Sequence, residues 1–412
     1  MLKNYFKIAI AVLKRRKFFT FISLFGISFT LTILMVVTSF ADKMLGPNYP
    51  DTKRDRSLYI IEHEEYGDKS GSTNTGPLSF YFLNKYAGGL KTPVKVGISS
   101  MFTFTNTYVN NKKISISLKF TNADYWDVLD YQFLEGKPFT KQQIDNAEKV
   151  AVISQDTRRD YFGDIPSVVG KYIEADNVKY RVLGVVKDVP ATLFTLYGDI
   201  YLPYTVSKVD YRNQNWGGNY TAILMGNSKD DLPKIQSEFA SVISRIPMQS
   251  KEFNHLYCFA DTYFGSFIRT LTGRHGDSGM TKFIVIVSIF VFLFLLLPTL
   301  NLVNINITRI MERSSEIGVR KAFGASSKTL VYQFIVENII LTLLGGFIGV
   351  LLSVIIIKII NAANLIAHLD LTLNFTVLFY SLLTCIFFGL LSGVYPAWRM
   401  SKLDVVTALK AQ

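Results

Sequence analysis

The stretch FFTFISLFGISFTLTILMVVTSF, residues 18–40, decides the fold. It carries no charged residue, and at about 1.5 Å rise per residue it reaches roughly 34 Å as a helix. That is enough to cross the ~30 Å hydrocarbon core of a bilayer. Further apolar blocks follow at about 283–303, 334–357 and 375–394. A soluble core helix rarely stays apolar for about twenty residues, so the four blocks read as four membrane spans. The basic residues Lys14 to Lys17 precede the first block, as in a secretory leader. The apolar run is too long for a leader and no A-x-A-like cleavage site follows, so it reads as a retained anchor.

The composition agrees with this reading. Hydrophobic residues make up 49% of the 412 residues, and the mean hydropathy of +0.24 is high for a soluble protein. The formal net charge is +12, and its placement gives it meaning. Lys3, Lys7, Lys14, Arg15, Arg16 and Lys17 precede the first span, and Arg309, Arg313, Arg320, Lys321 and Lys328 lie between the second and third. Arg399, Lys402 and Lys410 follow the fourth, while the loop at 361–374 has no Lys or Arg. By the positive-inside rule both termini and the 306–330 loop are cytoplasmic, and 42–282 and 361–374 are outside. Most of the basic excess is then a topology signal and an attraction to anionic lipid, which leaves little for nucleic acid to explain.

The expected fold is an α-helical membrane protein with four transmembrane helices plus a mixed α/β extracytoplasmic domain. The divisions are 1–17, a cytoplasmic amphipathic N-terminal helix; 18–41, the first span; 42–282, the extracytoplasmic domain; 283–305, the second span; 306–330, a cytoplasmic loop; 331–360, the third span; 361–374, a short outer loop; 375–396, the fourth span; and 397–412, a cytoplasmic tail. In the first of these, Leu2, Tyr5 or Phe6, Ala9 or Ile10, and Leu13 recur at helical spacing opposite Lys3, Lys7 and Lys14. This fits a helix lying on the inner leaflet or a simple extension of the first span.

Within 42–282, polar residues 67–77 read as a loop, and 103–109 and 114–120 as strands. The clearest local structure starts at Lys149. Residues 150–153 read as a strand, Ser154 as the N-cap of a helix through Phe162, and Gly163 as its C′ residue. Strands at 170–174 and 179–186 follow, and 232–246 reads as a helix. The order of a mixed α/β module is not readable from this. Cys258 in this domain and Cys385 in the fourth span cannot staple it, so it must fold on its own core.

The spans carry packing signals. Gly345 with Gly349, and Gly389 with Gly393, are small-xxx-small pairs that let helices approach closely. Pro298 is placed to kink the second span, and Asn301, Asn304 and Asn306 suit interhelical hydrogen bonds better than a path.

Catalytic chemistry is not visible. Residues 324–329, GASSKT, lack the Gly before Lys and the preceding strand of a phosphate loop. His63-Glu64 has no second His at metalloprotease spacing, and His255 with Cys258 gives two ligands only, so no metal site is expected. Both pairs read as ordinary surface or core residues.

The informative inner stretch is RIMERSSEIGVRKAFGASSKTLV, residues 309–331. Residues 310–323 have helical character, Gly324 stops the helix, and Ser326 or Ser327 can cap the next. The result is a short charged helix mounted at the cytoplasmic surface. It can receive force from a soluble partner or rest on lipid head groups.

E-I-G-V-R-K-A-F-G-A-S at 316–326, Q-F-I-V-E-N at 333–338 and glycines Gly345, Gly346 and Gly349 closely resemble the MacB/FtsX-like permease family of ABC transporters. Y-P-A-W-R-M-S-K-L-D at 395–404 and T-A-L-K at 407–410 are similar to the family's closing motifs, with Val405 where a proline is common. V-A-V-I-S, V-G-K-Y-I and V-L-G-V-V-K-D-V-P within 150–190 resemble the MacB-type periplasmic core domain. The resemblance covers nearly the whole chain.

The resemblance implies a dimer, with itself or with a related permease, in the bacterial cytoplasmic (inner) membrane. It implies a separate ABC ATPase subunit holding ATP and Mg, with no cofactor on this chain. Glu316, Gly318, Arg320, Lys321 and Gly324 are carried over as the ATPase-coupling region. The chain is then a non-catalytic permease subunit whose outer domain moves like a bellows. Efflux of an antibiotic-like, peptide or amphiphilic substrate is the first expectation, with a periplasmic adaptor and outer-membrane channel as partners. Lipoprotein extraction, or mechanotransmission to a cell-wall hydrolase without cargo, are the alternatives; a membrane enzyme is disfavoured.

Overall fold

The computed structural model describes residues 10–11, 13–15, 17–109, 112–311, 319, 323, 327–376, 378–380, 382–384, 386–387 and 390. The chain divides into two compact units. One comprises Met1–Asp42, Ile284–Leu365 and Asp370–Gln412, and the other Lys43–Phe283 with Ile366–Leu369.

The long helices are α1 (Lys17–Leu45), α5 (Met280–Met311) and α6 (Ser327–Ala363). Among the described residues, α1 and the Ile335–Ala363 part of α6 are long and apolar enough to cross a bilayer. The surface of α1 inverts the soluble pattern. Phe18, Phe21, Phe25 and Phe29 recur three or four apart and are exposed, whereas Ser23, Ser28, Thr30, Thr32 and Ser39 are buried. In lipid the outward rings cost nothing, and small hydroxylated residues let a neighbouring helix approach. Some of their hydroxyls are satisfied within the helix, as in Thr30 Oγ1 donating to Gly26 O at 2.8 Å, while Ser39 Oγ donates to Thr372 O at 2.6 Å.

The second unit is the mixed α/β domain. Its strands are β1 (Ser57–Ile60), β2 (His63–Tyr66), β3 (Thr73–Gly76), β4 (Lys95–Ser100), β5 (Thr103–Val109), β6 (Lys112–Thr121) and β7 (Phe133–Gly136). They continue with β8 (Val150–Ser154), β9 (Tyr172–Ala175), β10 (Val178–Val186), β11 (Ile200–Pro203), β12 (Tyr220–Met225) and β13 (His255–Cys258). Its helices of eight residues or more are α2 (Gln155–Phe162), α3 (Leu232–Ile243) and α4 (Tyr263–Thr272). The large sheet runs β1-β12-β4-β6-β11-β8-β10-β7, with β5 on β6 and β9 on β10. β8 and β10 are parallel, joined through α2, as are β6 and β11; the other pairs are antiparallel. A small sheet, β13-β2-β3, stands apart.

Side-chain alternation places two cores on opposite faces. Leu58, Ile60, Ala222 and Leu224 face a core built with Phe82, Trp216 and Phe239 of α3. Tyr59, Ile223 and Met225 face the other, with Trp126, Val150, Val152 and Tyr201. Ala151, Ile153, Val182 and Val185 form a third cluster under Ile173. β8 is buried at every position, which explains its unbroken apolar sequence.

The 150–190 module forms as its residues dictate. Ser154 caps α2, its side chain accepting from Thr157 N, and Gly163 ends the helix at φ +66°. Elsewhere the structure departs from the expectations. Residues 67–77 are half loop and half strand: β3 pairs with β2 after a turn at Gly71, φ +65°. Ladder hydrogen bonds to β2 outweigh the weak strand preference of its Thr-Asn-Thr-Gly sequence. Gly170 is not in β9 but in the turn before it, at φ +85°. α3 stops at Ile243 rather than 246, with Ser244 as its C-cap.

Candidate functional site

The expected coupling residues Glu316, Gly318, Arg320, Lys321 and Gly324, and the glycines Gly389 and Gly393, lie outside the described residues. Gly345 and Gly349 are described, and both face α1. A Cβ at Gly345 would stand 2.8 Å from Ile27 Cγ2, and one at Gly349 would stand 2.9 Å from Ser28 O and 3.0 Å from Leu31 Cβ. Thr32 Oγ1 approaches Gly349 O at 3.2 Å. Gly349→Leu is therefore expected to force these backbones apart, at a cost of about 1–3 kcal/mol. Gly26→Ala, whose Cβ meets nothing within 4 Å, is expected to be harmless. The thermal unfolding midpoint of the two variants in detergent checks this, and equal midpoints would exclude close α1–α6 packing.

In the α/β unit the strongest polar constellation lies where the chain leaves α1. Arg54 and Asp51 are both buried. Arg54 Nε donates to Asp51 Oδ2 at 2.7 Å, and Tyr59 OH donates to the same carboxylate at 2.7–2.9 Å. Arg54 Nη1 donates to Gly46 O at 2.5 Å and Met44 O at 3.0 Å, so the guanidinium satisfies carbonyls at the last turn of α1. Its plane lies 3.6 Å over the ring of Tyr263. Burial pushes the Asp51 carboxyl above the usual carboxylate range, although the Arg54 charge and the two donors pull the other way.

Tyr263 opens α4, the last helix before α5. The same region is fixed twice more. Tyr59 and Asp261 exchange backbone hydrogen bonds at 2.7 and 3.1 Å, and Arg269 binds the Asp261 carboxylate at 2.6 Å. The first strand of the domain and its last helix are thus tied directly to one another.

Ile366–Leu369, from the segment after α6, also packs as part of this unit. His368 Nε2 lies 2.6 Å from Asp156 Oδ2, and its Nδ1 lies 3.9 Å from Asp188 Oδ2. Among the described residues this is the one group of three His, Cys, Asp or Glu side chains close enough to suggest a metal. The geometry is instead that of a histidine hydrogen-bonded to the Asp156 carboxylate, with the Asp188 carboxylate farther off. The ring turns opposite nitrogens to the two carboxylates, and 2.6 Å is a charge-assisted hydrogen bond. It is shorter than the spacing of two ligands each ~2.0–2.1 Å from one ion in a tetrahedron.

A cleft of about 540 Å³ opens where β4 and β6 splay, between Phe80, Tyr204, Lys95, Asp124, Lys141 and Asp145. Lys95 is held by Asp124 at 2.9 Å and Asp127 at 3.1 Å, and no Ser, Cys or His lines the cleft. His63 is buried, with Nδ1 2.9 Å from Gly76 O, and burial lowers its proton affinity. Cys258 is a buried core thiol pushed up by burial. His255 pairs with Asp68 at 2.8 Å.

Residues 20–242 match the MacB-like periplasmic core domain, and residues 288–405 match the FtsX-like permease C-terminal domain. The chain belongs to the MacB/FtsX-like family of ABC transporter permeases. Among relatives in this family, the macrolide export ATP-binding/permease protein MacB of Acinetobacter baylyi is 23% identical over 438 residues, covering 100% of this chain and 60% of that protein. The protein of the same description from Salmonella choleraesuis is 25% identical over 304 residues, covering 73% of this chain and 44% of its own length. The chain therefore spans about half the length of these MacB relatives. The solved periplasmic region of MacB from Actinobacillus actinomycetemcomitans covers 54% of this chain and 94% of that one, at 16% identity and a TM-score of 0.37.

Sequence reasoning missed Asp51, Arg54 and His368. The one local signal was charge at unusual places: an Asp-x-x-Arg pair soon after a span, and a histidine in a short loop without Lys or Arg.

Proposed function

We propose that this chain is the transmembrane subunit of an ABC transporter of the bacterial inner membrane, with four spans and both termini in the cytoplasm. A separate ATPase subunit engages the region of Glu316, Gly318, Arg320, Lys321 and Gly324 and holds ATP and Mg. Two permease chains pair, as a homodimer or with a related permease. ATP hydrolysis drives motion of the α/β domain on the outer side, and that motion expels an antibiotic-like, peptide or amphiphilic substrate, with help from an adaptor and an outer-membrane channel.

The observation that carries this reading is the tie between the two ends of the α/β domain. Arg54 holds the last turn of α1 and stacks on Tyr263 at the start of α4, and β1 pairs with Asp261. Buried, hydrogen-bonded joints of this kind transmit displacement instead of absorbing it. No catalytic constellation competes among the described residues, and the family description favours transport.

The test is a mild-detergent capture of the tagged chain with mass spectrometry of what it retains. An ATPase with an adaptor supports efflux; an ATPase with a peptidoglycan hydrolase moves the reading to mechanotransmission, and one with lipoprotein to extraction. No ATPase, even after cross-linking in trapped ATP, sinks the permease assignment. Glu316→Arg is expected to lower substrate-stimulated ATP hydrolysis by tenfold or more while leaving membrane insertion intact, since charge reversal at a subunit contact costs at least about 1.4 kcal/mol. Unchanged stimulation would remove Glu316 from the contact.

A further inference from the structure

Two helices of the α/β unit differ in what they turn outward. α3 hides Leu232, Ile235, Phe239 and Ile243 and exposes Lys234, Ser237 and Ser241. That is the pattern of a helix with core on one side and water on the other. α4 hides Ser266 and Ile268, yet its outward side is apolar too. Phe264, Phe267 and Leu271 recur at helical spacing and share one face. Leu271 is 59% exposed and Phe264 38%, and Phe267 is half-buried. An outward stripe of two phenylalanines and a leucine is not built for water.

The surroundings of α4 say what this face meets. The α/β unit includes both points at which its chain passes into the long apolar helices: residues 43–45 at the end of α1 and residues 280–283 at the start of α5. α4 is tied to both. Tyr263, its first residue, lies under the Arg54 guanidinium that holds the Met44 and Gly46 carbonyls. The Phe264 ring meets that of Phe283, where the second apolar block begins, edge-on with centroids 5.8 Å apart. At the other end of α4, Thr272 Oγ1 donates to Gly279 O at 3.0 Å, and Arg269 Nη1 donates to Asp277 O at 3.2 Å. Gly279 precedes Phe283 by about 6 Å of helical rise. Both ends of α4 are therefore held about one helical turn from the start of the apolar block. The headgroup layer on each side of a bilayer is roughly 5–7 Å deep, which is the same distance. The residues beside the stripe are polar and exposed, Thr270, Arg274, Asp277 and Lys282 among them, as a boundary between lipid and water requires.

We infer that α4 is an interfacial helix: the face of Phe264, Phe267 and Leu271 lies in the headgroup layer of the outer leaflet, and the bilayer itself is its partner. The inference rests on the reading of α5 as a span that the chain enters at Phe283. The spans already present apolar surface to lipid, and the stripe on α4 continues that surface onto the α/β unit. Motion of the α/β unit then has to carry this face through the headgroups.

The test is nitroxide accessibility in the full chain, reconstituted in vesicles of phosphatidylethanolamine and phosphatidylglycerol. Cys385→Ser removes one native thiol, and Cys258 is buried. Single labels are placed through Phe264→Cys, Leu271→Cys, Phe290→Cys in α5 and Ser237→Cys on the water-facing side of α3. Collisions with oxygen, which concentrates in lipid, are compared with collisions with a water-soluble nickel chelate. The ratio at 264 and 271 is expected to exceed that at 237 severalfold and to fall below that at 290. A ratio at 264 and 271 equal to that at 237, with 290 in lipid, would overturn the interfacial helix and leave the permease reading standing. A water-like ratio at 290 would overturn the span and the interfacial helix together. Low access of both reagents to 264 and 271 would assign the face to a protein contact, such as a second copy of this chain, and overturn the inference as well.

Discussion

Replacing Arg54 by Ala is expected to lower the stability of the α/β unit by about 3–5 kcal/mol, because it leaves the Asp51 carboxylate buried without its charge partner. The wild-type site is closed on every side. Asp51 is fully buried, Arg54 is 7% exposed, and Tyr59 OH is the other donor to the carboxylate. The carbonyls of Met44 and Gly46 lose their donor at the same time. Urea unfolding of the detergent-solubilised chain, followed by tryptophan fluorescence, reads this directly, since Trp126 and Trp216 both lie in the cores of the unit. The deficit is also expected to depend on pH. Burial already raises the Asp51 pKa, and without Arg54 less opposes it. A group whose folded pKa is raised contributes stability that is present in acid and lost as pH rises through that value. The variant is therefore expected to be closest to wild type at low pH and furthest from it at neutral pH. Asp51→Leu with Arg54→Met removes both charges and is expected to recover most of the loss. An Arg54→Ala midpoint equal to wild type would show that the pair does not fasten the domain.

Lys119→Met is expected to act in the opposite direction. Lys119 lies on β6 with no exposed surface. Its ammonium has no carboxylate; Nζ donates to Ser100 O at 2.6 Å and Thr195 O at 2.7 Å. Burial pushes its pKa down to about 7. Between that value and the unfolded value of about 10.4, the unfolded chain binds the proton and the folded chain does not. Stability from this group therefore rises with pH from about 7 to 10, by on the order of 4–5 kcal/mol, and is flat below. Methionine fills the same space without a charge. It is expected to erase that slope and to raise stability at pH 7 by about 1–3 kcal/mol, the remainder being offset by the two carbonyls left without a donor. Comparing urea midpoints of wild type and variant from pH 6 to 10 tests both statements. Parallel curves would mean that Lys119 stays charged in the folded protein, held by its carbonyls.

These two residues mark how far the sequence can be read. The four apolar blocks, the β8–α2–β10 module with its Ser154 cap and Gly163 stop, and the motifs at 316–326 and 333–338 are local. Each is set by neighbours within one or two turns of chain, so periodicity, capping and composition reveal them. The family followed from those local features. Lys119 shows where that reasoning ends. In KKISISLKF its position alternates with Ile114, Ile116 and Leu118, which reads as a polar outer face. Ser115 on that face is indeed exposed, but Ser117 and Lys119 are buried. They are covered by the 193–199 connection, whose Thr195 and Asp199 bind Lys119 and Ser117 from more than seventy residues away.

The candidate site was equally beyond local reading. Arg54 is recognisable as a charged residue after a span, but its stacking on Tyr263 joins residues more than two hundred positions apart. His368 meets Asp156 across 212 positions. The sequence by itself determined the mixed α/β character of the outer domain, the strand–helix–strand run at 150–186 and the apolar character of the long blocks, because those follow from short-range spacing and solvent preference. Only the tertiary structure decided which charges are buried and which partner each one meets, because long-range sheet order and loop placement set the local dielectric and bring the opposite charge within reach.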